Sequence, residues 1–239
     1  MARIDHVEQV QHEYRDEARF ELRFRPFREW HVGRDLEGEI AEIAARGNPQ
    51  DVLEVGCGMG GFAARFQSIV NGVSYTAIDQ SPRMVELARA RGIDARHGDV
   101  QSLEFPDASF DLVVANWMLY HVPDLPKALS EIVRVLRPGG ALVAATMGDD
   151  MHTELWSLIN SGDATPELSF SAESGADALR PWFAAVERID LHGATVFPSR
   201  DDVEAYIRST MTRGHLVDEL PHITVPFRAR TTNSVFVAT

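Results

Sequence analysis

The chain has 239 residues, 44% hydrophobic and 25% charged, ordinary proportions for a globular protein able to bury a full core. A formal net charge of −13 would repel nucleic acid phosphates, and no apolar run is long enough to span a bilayer. The lone cysteine, Cys57, rules out an intrachain disulfide, and the nine histidines are scattered without metal-ligand spacing. Lys127 is the only lysine, which removes a Walker-type phosphate lysine from consideration. The start MARIDHVEQV is polar and unlike a secretion signal. These features predict a cytoplasmic protein without nucleic acid, membrane or metal. They leave monomer and homodimer open.

In chain order, Ile4, Val7, Val10, Tyr14 and Ala18 recur at helical spacing. Phe20 to Phe24 alternates with charged residues and reads as extended chain or a frayed helix before Pro26. A further helix, roughly 27–46, stops at Gly47-Asn48-Pro49. Residues 1–47 therefore read as a helical cover. The stretch DVLEVGCGMGGF, residues 51–62, follows, an apolar strand running into glycines and then helix-forming residues. Glycine lets a backbone turn sharply and approach a ligand, and a helix start offers free N–H groups to an anion. Gly56, Gly58 and Gly61 fit G-x-G-x-x-G, which also suits a dinucleotide enzyme.

A second strand, 75–79, ends in Asp79, placed to accept both hydroxyls of an adenosine ribose. Ser81-Pro82 is an N-cap followed by proline at the first helical position. Strands are then predicted at 94–97, 110–115 and 141–146, with a helix opened by Pro123-Asp124 between the last two. Asn116, Trp117, Met118, Leu119, Tyr120 and His121 follow the 110–115 strand directly. Beyond 147 the reading is a polar stretch with a short helix at 155–159, a helix at 176–183, a strand at 186–196, a helix at 201–211 capped by Ser199, a loop, and a last strand at 234–238. Alternating strands and helices over 51–147 predict an α/β fold with a parallel sheet wound on both faces. We expect one domain over 1–239: a helical cover (1–47), a cofactor-binding core (51–147), and a substrate-side cap with the last strands (148–239).

The motifs DVLEVGCGMGG, YTAIDQSPRMVELAR, GDVQSLEFPDASFDLVVANWMLYHVPD and ALSEIVRVLRPGGALVAAT, in that order, resemble the class I S-adenosylmethionine-dependent methyltransferases. The resemblance is to the small-molecule subgroup that includes ubiquinone and menaquinone methyltransferases. It implies a Rossmann-like, mostly parallel seven-stranded sheet, S-adenosylmethionine as cofactor, and O- or N-methylation of a small molecule, as in secondary metabolism. By that resemblance Gly56, Cys57, Gly58 and Gly60 hold the methionine end of the cofactor, and Asp79 binds the ribose. Gln80 and Met84 lie beside the adenosine, Asp99 and Val100 meet the adenine, and Asn116 and Trp117 lie beneath the sulfonium arm. Tyr14 resembles a tyrosine of amino-sugar methyltransferases that closes over the cofactor. His121 matches the second of two family histidines and is the candidate base, with Tyr120 standing where the other would be. Tyr14, Trp117, Tyr120 and His121 are thus the expected acceptor-side residues. Two rivals share these features: an NAD(P)-dependent oxidoreductase, which here lacks a Tyr-x-x-x-Lys pair, and a non-catalytic cofactor-binding protein.

Overall fold

A computed structural model describes residues 17–159, 168–210 and 212–239, with side chains from Glu21 onward. Tyr14 and the helix predicted around it lie outside the described residues, apart from the helix's last positions. Helix α1 (Glu17–Glu29) runs through Pro26. The alternating stretch before Pro26 is therefore helical, and Pro26 removes a single donor without ending the helix. The helix predicted over 27–46 is in fact split. Strand β1 (His31–Gly33) separates α1 from α2 (Leu36–Ala45), whose N-cap Asp35 accepts from Gly38 N–H.

The core follows as β2 (Asp51–Val55), α3 (Gly61–Ile69), β3 (Ser74–Asp79), α4 (Pro82–Ala90), β4 (Asp94–His97), β5 (Phe110–Asn116), α5 (Leu125–Val135) and β6 (Leu136–Met147). The caps read from sequence form as expected: Ser81 Oγ accepts from Met84 N–H, and Asp124 from Lys127 N–H. After the core come α6 (Thr153–Trp156), α7 (Gly175–Leu179), β7 (Val186–Phe197), α8 (Arg200–Ser209) and β8 (Phe227–Ala238). Among the described residues the sheet has eight strands, in the order β1-β7-β8-β6-β5-β2-β3-β4. The eighth is β1, three residues paired antiparallel to β7, too short for a periodic sequence signal.

Strands β2 to β6 pair in parallel, and β8 is antiparallel to both β6 and β7. Both faces of the parallel strands are covered. Leu53, Val55, Val113, Ala115, Leu142 and Ala144 pack on one side with Leu129 and Ile132 of α5. Val52, Leu112, Val114, Val143 and Ala145 pack on the other with Ile40 and Phe66. The strict alternation follows from side chains pointing to opposite faces at successive strand residues. A third cluster lies in the cap, where Phe197, Val203, Tyr206 and Ile207 meet Leu216 and Leu220. From β2 the chain moves outward through β3 to β4, then returns to place β5 on the other side of β2. That reversal opens a crevice at the carboxyl ends of β2 and β5.

Candidate active site

The crevice begins at the turn after β2. Gly56, Gly58 and Gly60 have φ of +72°, +52° and +75°. A Cβ on Gly56 would sit 2.8 Å from Met118 Cγ, and one on Gly60 would sit 3.1 Å from Ala88 Cβ. Glycine is therefore demanded at both positions by conformation and by space. Gly56 N–H and Cys57 N–H both donate to the Ile78 carbonyl, tying the turn to β3. Gly60 is the N-cap of α3 and provides no side-chain cap, so the first amides of that helix face the crevice without a competing side-chain acceptor.

Asp79 joins the two strand tips. Its Oδ2 accepts from Gly58 N–H and its Oδ1 from Ser81 N–H, each at 2.8 Å. Burial pushes this carboxyl up, while the Ser81 and Gly58 amides and His97 pull it down. A carboxylate retains lone pairs after two such bonds, so ribose hydroxyls remain within its capacity. Cys57 is buried and its thiol is pushed up by burial, next to Glu54 and Asp79. It is not a thiolate nucleophile.

A cavity of ≈ 530 Å³ fills the crevice, a volume suited to a nucleoside-sized ligand. Of the residues singled out in the sequence, Gly56, Cys57, Gly58, Asp79, Gln80, Val100, Asn116, Trp117 and His121 line it. Both polar atoms of the Asn116 side chain are buried without a partner, leaving a donor and an acceptor in the wall. Three expected residues are placed elsewhere. Gly60 shapes the turn from behind the lining. Met84 is fully buried beneath α4, an ordinary core position. The Asp99 carboxylate turns onto Gln101, accepting from its backbone N–H at 2.9 Å and from its side-chain amide. An aspartate two residues before a free amide closes this local turn more readily than it reaches across a crevice.

Sequence reasoning missed Glu54, His97 and Met118 on the same lining, together with Phe24, Arg28 and Glu37 from the cover. Glu54 had a signal, a carboxyl set between the apolar residues Leu53 and Val55 of β2. It is 2% exposed and accepts from the Tyr75 hydroxyl at 2.9 Å. Burial pushes it up to about 8, opposed by the Tyr75 bond and reinforced by Asp79 and Glu37. Such a group, in the wall beside the glycine turn, is suited to meet an ammonium.

A second cavity, ≈ 630 Å³, adjoins the first. Phe24, Arg28, Glu37, Trp117 and His121 line both. Tyr120 faces the second cavity, with Phe27, Trp156 and Tyr206 in the wall. Trp117 holds a left-handed backbone, φ +50°, with its N–H on the Ala145 carbonyl. Its indole N–H donates to Asn233 Oδ1 at 3.0 Å. A bond across 116 residues thus fixes the ring at the junction of the cavities. His121 sits at the end of a one-turn 3-10 segment (Leu119–His121), its ring 4.5 Å from that of Tyr120.

The two cavities meet at the switch point of a doubly wound sheet, the place where folds of this kind bind their ligands. Residues 53–144 match the family described as "Methyltransferase domain". The chain is 34% identical over 133 residues to the phthiotriol/phenolphthiotriol dimycocerosates methyltransferase of Mycobacterium leprae, covering 54% of this chain and 49% of that protein. It is 40% identical over 119 residues to the malonyl-[acyl-carrier protein] O-methyltransferase of Erwinia billingiae, covering 49% and 47%. The chain thus spans about half the length of the curated relatives it matches. Among solved structures, a geranyl diphosphate methyltransferase in complex with GPP and sinefungin aligns with a TM-score of 0.59, 16% identity and coverage of 97% and 98%. That likeness shows the fold.

Proposed function

We propose that this protein transfers a methyl group from S-adenosylmethionine to an oxygen or nitrogen of a small-molecule acceptor, as in secondary metabolism. The observation that carries the reading is the pair of adjoining cavities meeting at Trp117 and His121, one of them entered by the glycine turn. The relatives' names point the same way: one is a phthiotriol/phenolphthiotriol dimycocerosates methyltransferase and the other a malonyl-[acyl-carrier protein] O-methyltransferase. Gly56, Cys57 and Gly58 cradle the methionine end, Glu54 stands ready for its ammonium, and Asp79 with Gln80 takes the ribose. Val100 and His97 wall the adenine end. Tyr14 keeps its proposed place over the cofactor on the resemblance alone.

The bound donor supplies a methyl group on a cationic sulfur, already reactive toward a nucleophile. The protein then has to align the acceptor with that methyl and exclude water, an effect of about 7–11 kcal/mol on such a barrier. Trp117 fixes the junction and offers a π-face toward positive charge. His121 accepts the proton that an attacking hydroxyl or amine gives up, since imidazole titrates near neutral pH.

Thermal shift and calorimetry with S-adenosylhomocysteine and with NAD test the cofactor, and labelled methyl donor with an acceptor panel tests the transfer. Stabilisation by S-adenosylhomocysteine alone is expected; stabilisation by NAD alone would sink the reading. His121→Ala should keep product affinity and lower turnover by about two to four powers of ten. Unchanged turnover would remove His121 from the chemistry.

A further inference from the structure

The far end of the second cavity, away from the junction, has a chemical character of its own. Tyr206 of α8 is 7% exposed and forms part of the wall. Arg23 from α1 and Arg213 from the turn after α8 line the same cavity, and their charges pull the Tyr206 hydroxyl down against the upward push of burial. Each guanidinium is held in place. Arg23 Nε donates to the Ser209 carbonyl at 3.0 Å, and Arg213 lies over the Trp156 ring, 4.5 Å from its centroid. Both arginines are half-buried and line the cavity, with the hydroxyls of Thr210 and Thr212 beside them. The acids of the wall, Asp35, Glu37 and Asp149, come from other segments, the start of α2 and the turn after β6. Asp35 is engaged by Arg65 and by the cap of α2.

The Arg23 and Arg213 guanidiniums thus stand in the wall of a partly dry cavity of a chain with net charge −13. Guanidinium is the group best shaped to take an oxyanion through paired N–H donors. Between this end and the junction the wall is aromatic, with Phe24, Phe27, Trp117 and Trp156. We propose that the methyl acceptor is an amphipathic anion: a carboxylate or phosphate docked between Arg23 and Arg213, a flat or apolar body against the aromatic wall, and the nucleophile presented at His121. This rests on the methyltransferase reading and names the acceptor class that reading leaves open. Arg23 and Arg213 are then specificity-determining residues and take no part in the chemistry.

The test uses the full chain saturated with S-adenosylhomocysteine. Calorimetry compares matched pairs of aryl and alkyl probes, each carboxylate against its methyl ester and each monophosphate against its parent alcohol. The charged member of at least one pair should bind about tenfold more tightly than its neutral partner, and the series that shows it separates carboxylate from phosphate. Arg23→Gln with Arg213→Gln should abolish the preference while the affinity for S-adenosylhomocysteine stays within about twofold. Arg213→Lys should keep part of it, because charge remains without the planar fork. The assignment is wrong if neutral partners bind as tightly, if neither member of any pair binds, or if the preference survives the double glutamine variant. Failure of the unmodified chain to bind S-adenosylhomocysteine at all would instead remove the methyltransferase reading, and this assignment with it.

Discussion

The two cavities are built by opposite means. The cofactor crevice is mostly backbone: three glycines at positive φ, amides tied to the Ile78 carbonyl, and one carboxylate stapling two strand tips. Most of its lining comes from within residues 54–122. The second chamber is made of side chains drawn from Arg23 to Asn233. Its key contacts, such as Trp117 with Asn233 and Arg23 with Ser209, join residues more than a hundred positions apart. A backbone site tolerates few changes because its geometry is the binding group. A side-chain site can be rebuilt one residue at a time around the same donor, which is how one fold serves many acceptors.

If that contrast is right, the largest effect should come from the backbone site. Gly56→Val places a side chain on Met118 and forces a branched residue to φ +72°. The strain alone is of order 1–3 kcal/mol, and displacement of the turn adds to it. We expect S-adenosylhomocysteine affinity to fall by about a hundredfold or more, with far-ultraviolet circular dichroism unchanged. Retained affinity would show that the turn is not the binding group.

The next effect belongs to the cap that backs the chamber. His152 is fully buried, with Nδ1 3.1 Å from the Tyr206 hydroxyl and Nε2 3.0 Å from Thr195 Oγ1. Burial pulls it from 6.5 down to about 4, with Glu154 opposing. The unfolded chain therefore binds the extra proton, so this contribution to stability is complete above pH 6.5 and drains away as pH falls toward about 4. Thermal melts across that window should decline in the unmodified protein. His152→Gln, with no group to titrate there, should start lower at neutral pH and fall less steeply. Parallel curves would refute the assignment.

The smallest effect sharpens the comparison at the junction. Asn233→Leu strips the Trp117 indole of its acceptor, which costs about 1–3 kcal/mol if the N–H stays buried. Because the indole bond serves the chamber, turnover and acceptor KM should suffer while donor affinity changes by less than about threefold. An equal loss of donor affinity would mean that Trp117 is held for the cofactor.

Much of the crevice was legible before any coordinates. Local chemistry sets its parts: glycine where φ is positive, an aspartate closing a strand, Ser81 and Asp124 at helix starts. The same locality turns the Asp99 carboxylate onto the nearby Gln101 amides. Glu54 is legible as a charge in an apolar run, but its place in the cavity wall beside Tyr75 is set by the fold. The split between α1 and α2 escaped because a three-residue edge strand carries no period and exists only by pairing with β7.

By itself, then, the chain's order of residues determined a doubly wound sheet and a glycine turn with an acid one strand away, because period, propensity and turn chemistry act over a few neighbours. The make-up of the second cavity was decided by tertiary structure alone. Arg23, Trp117, Tyr206, Arg213 and Asn233 share no local pattern, and only the packing of α1, α8 and β8 over the strand ends brings their side chains to one cavity.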